Sequence, residues 1–180
     1  EIIRLESQED AIPYRTSFVG AYQSIFAEPP YNERFYPMEA EAIINKNLQT
    51  PGHITLLAVI FETVVGFAFA VPVSTQNDVT SKLRGLTPIQ HTFYLAELGI
   101  LDSHRRQGLG TALTQWRLKL IDAKRYQYVV LRTSIVKDAS YQMYRSMNFE
   151  DMGVYTEVSS RRTDGRVRTD RRLYLSREIS

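Results

Sequence analysis

Cysteine is missing from all 180 residues. Disulfides, thiolate zinc sites and cysteine nucleophiles are therefore excluded, and the absence fits the reducing cytoplasm in which the chain is expected to work. Long apolar runs are missing too. The stretch Val64 to Val73 falls far short of the roughly 20 residues that a membrane helix needs, no signal-peptide pattern opens the chain, and no membrane contact is expected. Repeats, low-complexity tracts and linkers are lacking, so one domain over residues 1–180 is expected, with enough chain to bury a core without staples.

Charge is scarce in net terms, at +2, but unevenly placed. Residues 1–90 hold 6 Lys/Arg against 10 Asp/Glu, and residues 91–180 hold 16 against 10. The halves favour differently charged ligands, with nucleic acid or an anionic cofactor on the basic side. A dipolar surface kept soluble by charge explains the same counts.

What is present is an alternation of short strands with helical segments. Ile2 to Leu5 reads as a first strand. Phe18, Ala21, Tyr22 and Ile25 recur at helical spacing within Tyr14 to Ala27, which Pro29-Pro30 stops. A second helix, Pro37 to Leu48, has proline at its start and Ala40, Ile43, Ile44 and Leu48 along one stripe. His53 to Phe61 and Thr63 to Val73 are β-branched and apolar and read as a hairpin turning near Glu62. Residues 74–91 are too long for a simple turn and are expected to form a lid or a disordered loop. Thr92 to Leu101 is a strand, and Gly108 to Arg125 a helix with Leu109, Leu113, Trp116, Leu120 and Ala123 on its buried stripe. A strand from Gln127 to Ser134, a short helix from Asp138 to Met147 and two late strands, near Val154 to Val158 and Arg171 to Arg177, around the turn Asp164-Gly165 complete the chain.

Chemistry concentrates at Arg105-Arg106-Gln107-Gly108-Leu109-Gly110-Thr111. A strand ends there, two glycines follow and a helix starts, so unpaired backbone N–H groups converge on one point and form an anion site. Gly108 and Gly110 have no Cβ to keep a pyrophosphate from the main chain. No acidic residue lies between Asp102 and Asp122 to repel it.

The stretch Arg105 to Gly110 matches Q/R-x-x-G-x-G/A, and Leu95 to Ala112 as a whole resembles the central motif of the GNAT superfamily of acyl-CoA N-acyltransferases. The element order along nearly the whole chain is similar to that family's. The resemblance implies an α/β (α+β) fold: a mixed, mostly antiparallel central sheet of about seven strands with splayed middle strands, flanked by about four helices. It implies acetyl-CoA as co-substrate, no metal, and coenzyme A held by Arg105, Arg106, Gln107, Gly108, Leu109, Gly110 and Thr111. It also implies a bulge in Thr92 to Leu101, with Leu98 and Ile100 offering backbone groups to pantetheine. Gly99 suits such a distortion, since glycine within a strand marks a bulge or a close backbone approach.

Glu97 is the anomalous residue of Tyr94-Leu95-Ala96-Glu97-Leu98-Gly99-Ile100. A carboxylate in an apolar strand must face a cavity or a partner. With a raised pKa it could take the proton that an ammonium acceptor must lose before attack; an edge carboxylate that is merely paired, or that binds the substrate cation, fits as well. Lys137 to Phe149 resembles the family's N-x-x-A-x-x-L-Y-x-x-x-G-F helix, which puts Tyr144 at the position of the acid that protonates the departing thiolate. Lys137 replaces the usual asparagine and Asn148 the usual glycine, the latter mildly because asparagine tolerates the left-handed conformation. Tyr141, one turn earlier, is a rival acid.

In the family fold the acceptor pocket is walled by the first two helices and their connection, here Phe26 to Tyr36. Glu28, Tyr31 and Glu33 are its expected cation-binding residues. Six arginines between Ser159 and Arg172 read as solvated hairpin strands or as an anion-recognising segment; no interleaved aromatics support RNA binding, and no nucleic-acid partner is expected. The expected activity is transfer of acetyl to a primary amine of a small molecule or peptide. A non-catalytic acyl-CoA-binding module and a longer-chain N-acyltransferase are the alternatives, and a homodimer is compatible with either. A dinucleotide oxidoreductase fits poorly, because the glycines are not G-x-G-x-x-G and lie mid-chain.

Overall fold

A computed structural model of the protein describes residues 1–179. Its strands are β1 (Ile2–Arg4), β2 (Ile54–Ile60), β3 (Thr63–Pro72), β4 (Thr92–Ile100), β5 (Tyr128–Ser134), β6 (Glu150–Arg161) and β7 (Val167–Glu178). Its α-helices are α1 (Gln8–Ala11), α2 (Arg15–Ala27), α3 (Pro37–Gln49), α4 (Asn77–Leu83), α5 (Leu109–Leu120) and α6 (Ala139–Ser146). The strands form one sheet in the order β1-β2-β3-β4-β5-β7-β6. Neighbours are antiparallel except β4 and β5, which run parallel.

Helices cover both faces. On one, α2 and α3 present Phe18, Tyr22, Ile25 and Ile44 to Leu57, Phe67 and Phe69. On the other, α5 and α6 present Leu113, Tyr141 and Tyr144 to Leu56, Ala68 and Leu95. The apolar spacing read from the sequence predicts most of these contacts. The β2–β3 turn takes two left-handed residues, Phe61 at φ 47° and Glu62 at φ 65°, the pairing that matches strand twist.

Three expectations are corrected. Residues 74–91 are not a lid: they hold α4, with Val79 and Leu83 buried against Val71, Tyr94 and Val130 in a third apolar cluster. Apolar spacing in that segment is too short to be visible before the sheet supplies a surface for it. Leu83→Ala is therefore expected to cost about 2–5 kcal/mol in urea unfolding, as at a buried leucine; a lid residue would lose almost nothing. Next, α5 ends at Leu120, leaving Ala123 exposed, and turns Trp116 outward, 48% exposed, while Arg117 beside it is buried. Finally, the late strands run 12 residues each, Glu150–Arg161 and Val167–Glu178, well beyond the expected Val154 to Val158 and Arg171 to Arg177.

Candidate active site

The loop between β4 and α5 opens α5 with Gly108 in the left-handed conformation, at φ 79°, and with no side-chain cap. The first-turn N–H groups of a helix have no intrahelical acceptor, so those of Leu109, Gly110 and Thr111 point out of the helix end. A Cβ on Gly108 would meet nothing within 4 Å, whereas one on Gly110 would lie 3.3 Å from Ile100 Cδ1 and 3.4 Å from Met143 Sδ. The two glycines thus serve different ends, an open backbone at Gly108 and close packing at Gly110. Arg106, with φ 60°, and Gln107 are exposed. Arg105 is turned back instead: its Nε donates to Ile100 O at 3.0 Å and its Nη1 lies 3.6 Å from Asp102. The bond to Ile100 O ties the loop to β4.

The strands β4 and β5 stay paired from Thr92 with Tyr128 to Leu95 with Leu131 and then part. Their separation coincides with a bulge. Phe69 opposes Glu97 but Ala70 opposes Leu95, so Ala96 is the extra residue. Gly99 is not the bulge; its missing side chain leaves room for Phe67, whose Cε1 would lie 2.5 Å from a Cβ there. The bulge decides where Glu97 goes. Leu95, Leu98 and Ile100 all pack on the α5 side, and strict alternation from Leu95 would send Glu97 there too. The inserted residue switches the face, as a one-residue slip must, and Glu97 meets α2, where Tyr22 Oη donates to Glu97 Oε1 at 3.3 Å.

Glu97 Oε2 is buried without a partner. Burial pushes the carboxyl up to about 7, against the lowering effect of the Tyr22 hydrogen bond. Burial and the neighbouring Glu97 charge together push the Tyr22 phenol far above its ordinary value. Behind the bulge lies Arg117, 1% exposed. Its Nη1 donates to Phe69 O at 3.1 Å and to Glu97 O at 3.2 Å, and its Nη2 to Thr114 Oγ1 at 3.1 Å.

Across the opening stands α6, capped by Asp138, whose Oδ1 accepts from the Tyr141 amide at 3.1 Å. Tyr144 lines the cavity between the parted strands and Tyr141 does not; Tyr141 packs in the core with Lys137 Nζ 5.7 Å from its ring. Asn148 takes the left-handed conformation, φ 68°, as expected at the helix end, and sets Phe149 edge-on to Tyr144 at 5.7 Å. The cavity measures about 600 Å³ and reaches from Glu97 and Leu98 to Thr133 and Ser134.

Comparison with known proteins agrees with this geometry. The model of the "Acetyltransferase (GNAT) family" matches residues 18–149. The chain belongs to the GNAT family. It is similar to N-acetyltransferase family 8 member 3 of Rattus norvegicus, at 36% identity over 67 residues, which is 36% of this chain. Matches to such curated relatives span 29% of their length. Among solved structures, an N-acetyltransferase from Staphylococcus aureus Mu50 superposes with TM-score 0.68 at 12% identity, covering 100% of this chain and 99% of that one. A ribosomal-protein-alanine N-acetyltransferase from Brucella melitensis does so with TM-score 0.69 at 14% identity, covering 98% and 99%. At these identities the structural likeness shows the fold, a seven-stranded GNAT sheet.

The far side of the GNAT cavity is built by the α2–α3 connection. Tyr31 and Glu33 line it, together with Phe26, Phe35 and Glu39. Glu28 does not: it is exposed at the end of α2, and only its carbonyl is used, by the Tyr31 and Asn32 amides at 3.1 Å each. Glu33 is buried 3.6 Å from Arg172; burial raises its pKa while Arg172 and Arg162 oppose the rise. The Tyr31 phenol is likewise raised by burial.

The arginine-rich hairpin docks on this connection. Arg34 N donates to Arg161 O at 2.8 Å, Arg162 bonds Tyr31 O and Asp170, and Arg161 lies over the Tyr36 ring at 5.4 Å. Three of its six arginines are thus spent on the pocket wall, a contact no local pattern announces. Sequence reasoning missed Arg117 and the role of Tyr22. Arg117 lies four residues after Leu113 and three before Leu120, and that spacing marks it as a buried position.

Among the described residues no helix is long and apolar enough to cross a membrane, and no group of three His, Asp or Glu side chains could hold a metal.

Proposed function

We propose that this GNAT chain transfers an acetyl group from acetyl-CoA to a primary amine of a small molecule or peptide, by direct attack of the amine. The observation that carries the reading is the partnerless carboxylate oxygen of Glu97, buried where β4 and β5 part. The residues present fit coenzyme A. The uncapped start of α5, with Gly108 open to approach, suits a diphosphate. The unpaired edges of β4 after Leu95 and of β5 after Leu131 suit the pantetheine amides.

Acetyl-CoA, when bound, supplies an activated acyl carbonyl and a thiol leaving group. The chain's residues supply the rest. The aromatic and acidic wall of Tyr31, Phe35, Glu33 and Glu39 holds a cationic acceptor. Glu97, ionised above about 7, takes the ammonium proton directly or through water, because only the free amine can attack. Tyr144, which lines the same cavity, gives its proton to the sulfur as the carbon–sulfur bond breaks, and the second proton lost by the attacking nitrogen restores the phenol through solvent. A thiol of pKa near 8.5 leaves tolerably unaided, so Tyr144 helps without being indispensable.

The test is a panel of amines with acetyl-CoA, read by release of free CoA thiol. Thiol release that requires one amine class supports the reading. Tight CoA binding without release for any amine would replace it with a non-catalytic CoA-binding module.

A further inference from the structure

The α2–α3 connection meets the β6–β7 hairpin at an antiparallel bridge between Glu33 and Arg162. Both residues of that bridge are buried, and the next pair along, Arg34 and Arg161, is exposed. The Arg34 amide donates to Arg161 O at 2.8 Å, so two arginines stand opposite each other across a strand-like pair. Like charges placed this way repel. Their guanidiniums also share one support, lying 6.0 Å and 5.4 Å from the centre of the Tyr36 ring. Among the described residues neither enters an ion pair. The carboxylates nearest to Arg34 in the chain are engaged elsewhere, Glu33 3.6 Å from Arg172 and Glu39 by the Tyr36 amide at 2.9 Å.

Both arginines line the cavity that holds Glu97. Glu97 Oε2 is buried, whereas the arginines are exposed, so they stand at the cavity mouth. We propose that Arg34 and Arg161 form an oxyanion subsite: the acceptor is an amine that also carries a carboxylate or a phosphate, held by the two guanidiniums while its nitrogen reaches Glu97. The proposal rests on the acetyl-transfer reading above and narrows its substrate class. A guanidinium is a planar fork that matches either oxyanion, and stacking on Tyr36 restrains both forks before the ligand arrives. An anion between them also removes the repulsion that the free protein carries. A polycation such as a polyamine meets charge of its own sign at the same mouth and is selected against.

The test measures CoA thiol release from acetyl-CoA with ω-amino carboxylates of increasing length, their amides, aminoalkyl phosphates and spermidine. At the best length the acid should exceed its amide in kcat/KM by roughly 10- to 100-fold, the weight of a charge-assisted pair, and spermidine should be poorest. Whether the carboxylates or the phosphates do better names the oxyanion. In the Arg34→Gln/Arg161→Gln double variant the ratio of acid to amide should fall towards one, with CoA affinity by calorimetry as in wild type. Acid and amide used equally by wild type, or a preference that survives the double variant, overturns the proposal. So does a loss of CoA affinity in place of acceptor selectivity, which would make a CoA phosphate the ligand of these arginines.

Calorimetric titration of the same amines into the CoA-bound protein needs no turnover. Binding of the acid that exceeds binding of the amide, and is lost in the double variant, keeps the subsite even if no amine releases thiol; the acetyl-transfer reading alone then fails. Equal binding of acid and amide, or none, overturns the subsite. The melting temperature of the double variant should not fall, because two opposed like charges have been removed. A lower melting temperature with unchanged selectivity would make the arginines mere braces for Tyr36.

Discussion

Glu97→Gln is expected to lower kcat for acetyl transfer roughly 100- to 10,000-fold at neutral pH, the usual weight of a positioned general base. Affinity for CoA should hardly change, since the α5 start lies elsewhere. The pH profile carries the more specific signature. A base must be ionised to act, and burial pushes this carboxyl up to about 7, so wild-type kcat should climb through that pH and level off above it. Glutamine has no such titration, so the residual rate of Glu97→Gln should lack that limb. A profile that keeps its acidic limb would return Glu97 to a merely structural or cation-binding role.

Stability should respond in the opposite direction. An ordinary glutamate titrates near 4.5, against about 7 for folded Glu97. Across that window the folded chain keeps a proton that the unfolded chain has released, so this group makes stability fall as pH rises. The cost of ionising it amounts to about 3 kcal/mol above the window. Glu97→Gln is therefore expected to be more stable than wild type at pH 8 and to match it near pH 4, by urea unfolding at both pH values. A proposed catalytic group that destabilises its own fold is the trade expected of a strained site.

Gly108→Val should weaken CoA binding roughly 10- to 100-fold for each backbone hydrogen bond to the diphosphate that is lost. The Gly108 φ of 79° is one that a β-branched residue adopts at a cost of about 1–3 kcal/mol. The loop can relieve that strain by turning, and turning re-aims the amides of Leu109, Gly110 and Thr111. Nothing packs where the Gly108 side chain would go, so the loss should fall on binding rather than on folding. Gly110→Val is the contrast. Its branches would press on Ile100 and Met143, so the melting temperature should drop along with affinity. Calorimetry that finds wild-type CoA affinity in Gly108→Val would remove the diphosphate assignment.

Much of this protein was legible from residue order alone. Helical spacing marked Phe18 to Ile25 on α2, two glycines marked the start of α5, and Asn148 marked the end of α6, because each signal is carried by residues within a turn or two of one another. Glu97 stood out for the same reason, as a charge inside an apolar run. The failures share one physical cause: where a side chain ends up depends on partners far away in the chain. Trp116 and Arg117 are adjacent on a helix, and the carbonyls freed by a bulge 20 residues earlier took the arginine inward, leaving the tryptophan in solvent. Residues 74–91 read as a lid until β3, β4 and β5 gave Val79 and Leu83 a surface to cover.

The chain by itself therefore determined the order of its elements, the glycine-flanked start of α5 and the presence of an ionisable group in β4, since these follow from backbone geometry and local chemistry. Tertiary structure alone decided what those groups face. The extra residue Ala96 turned Glu97 from the α5 side of the sheet to the α2 side, against Tyr22. The parting of β4 from β5 exposed Tyr144 to the cavity and left Tyr141 in the core. Docking of the β6–β7 hairpin selected Glu33 over Glu28 for the pocket wall. Each of these is a pairing between distant segments, fixed only when the sheet closes and one register excludes the others.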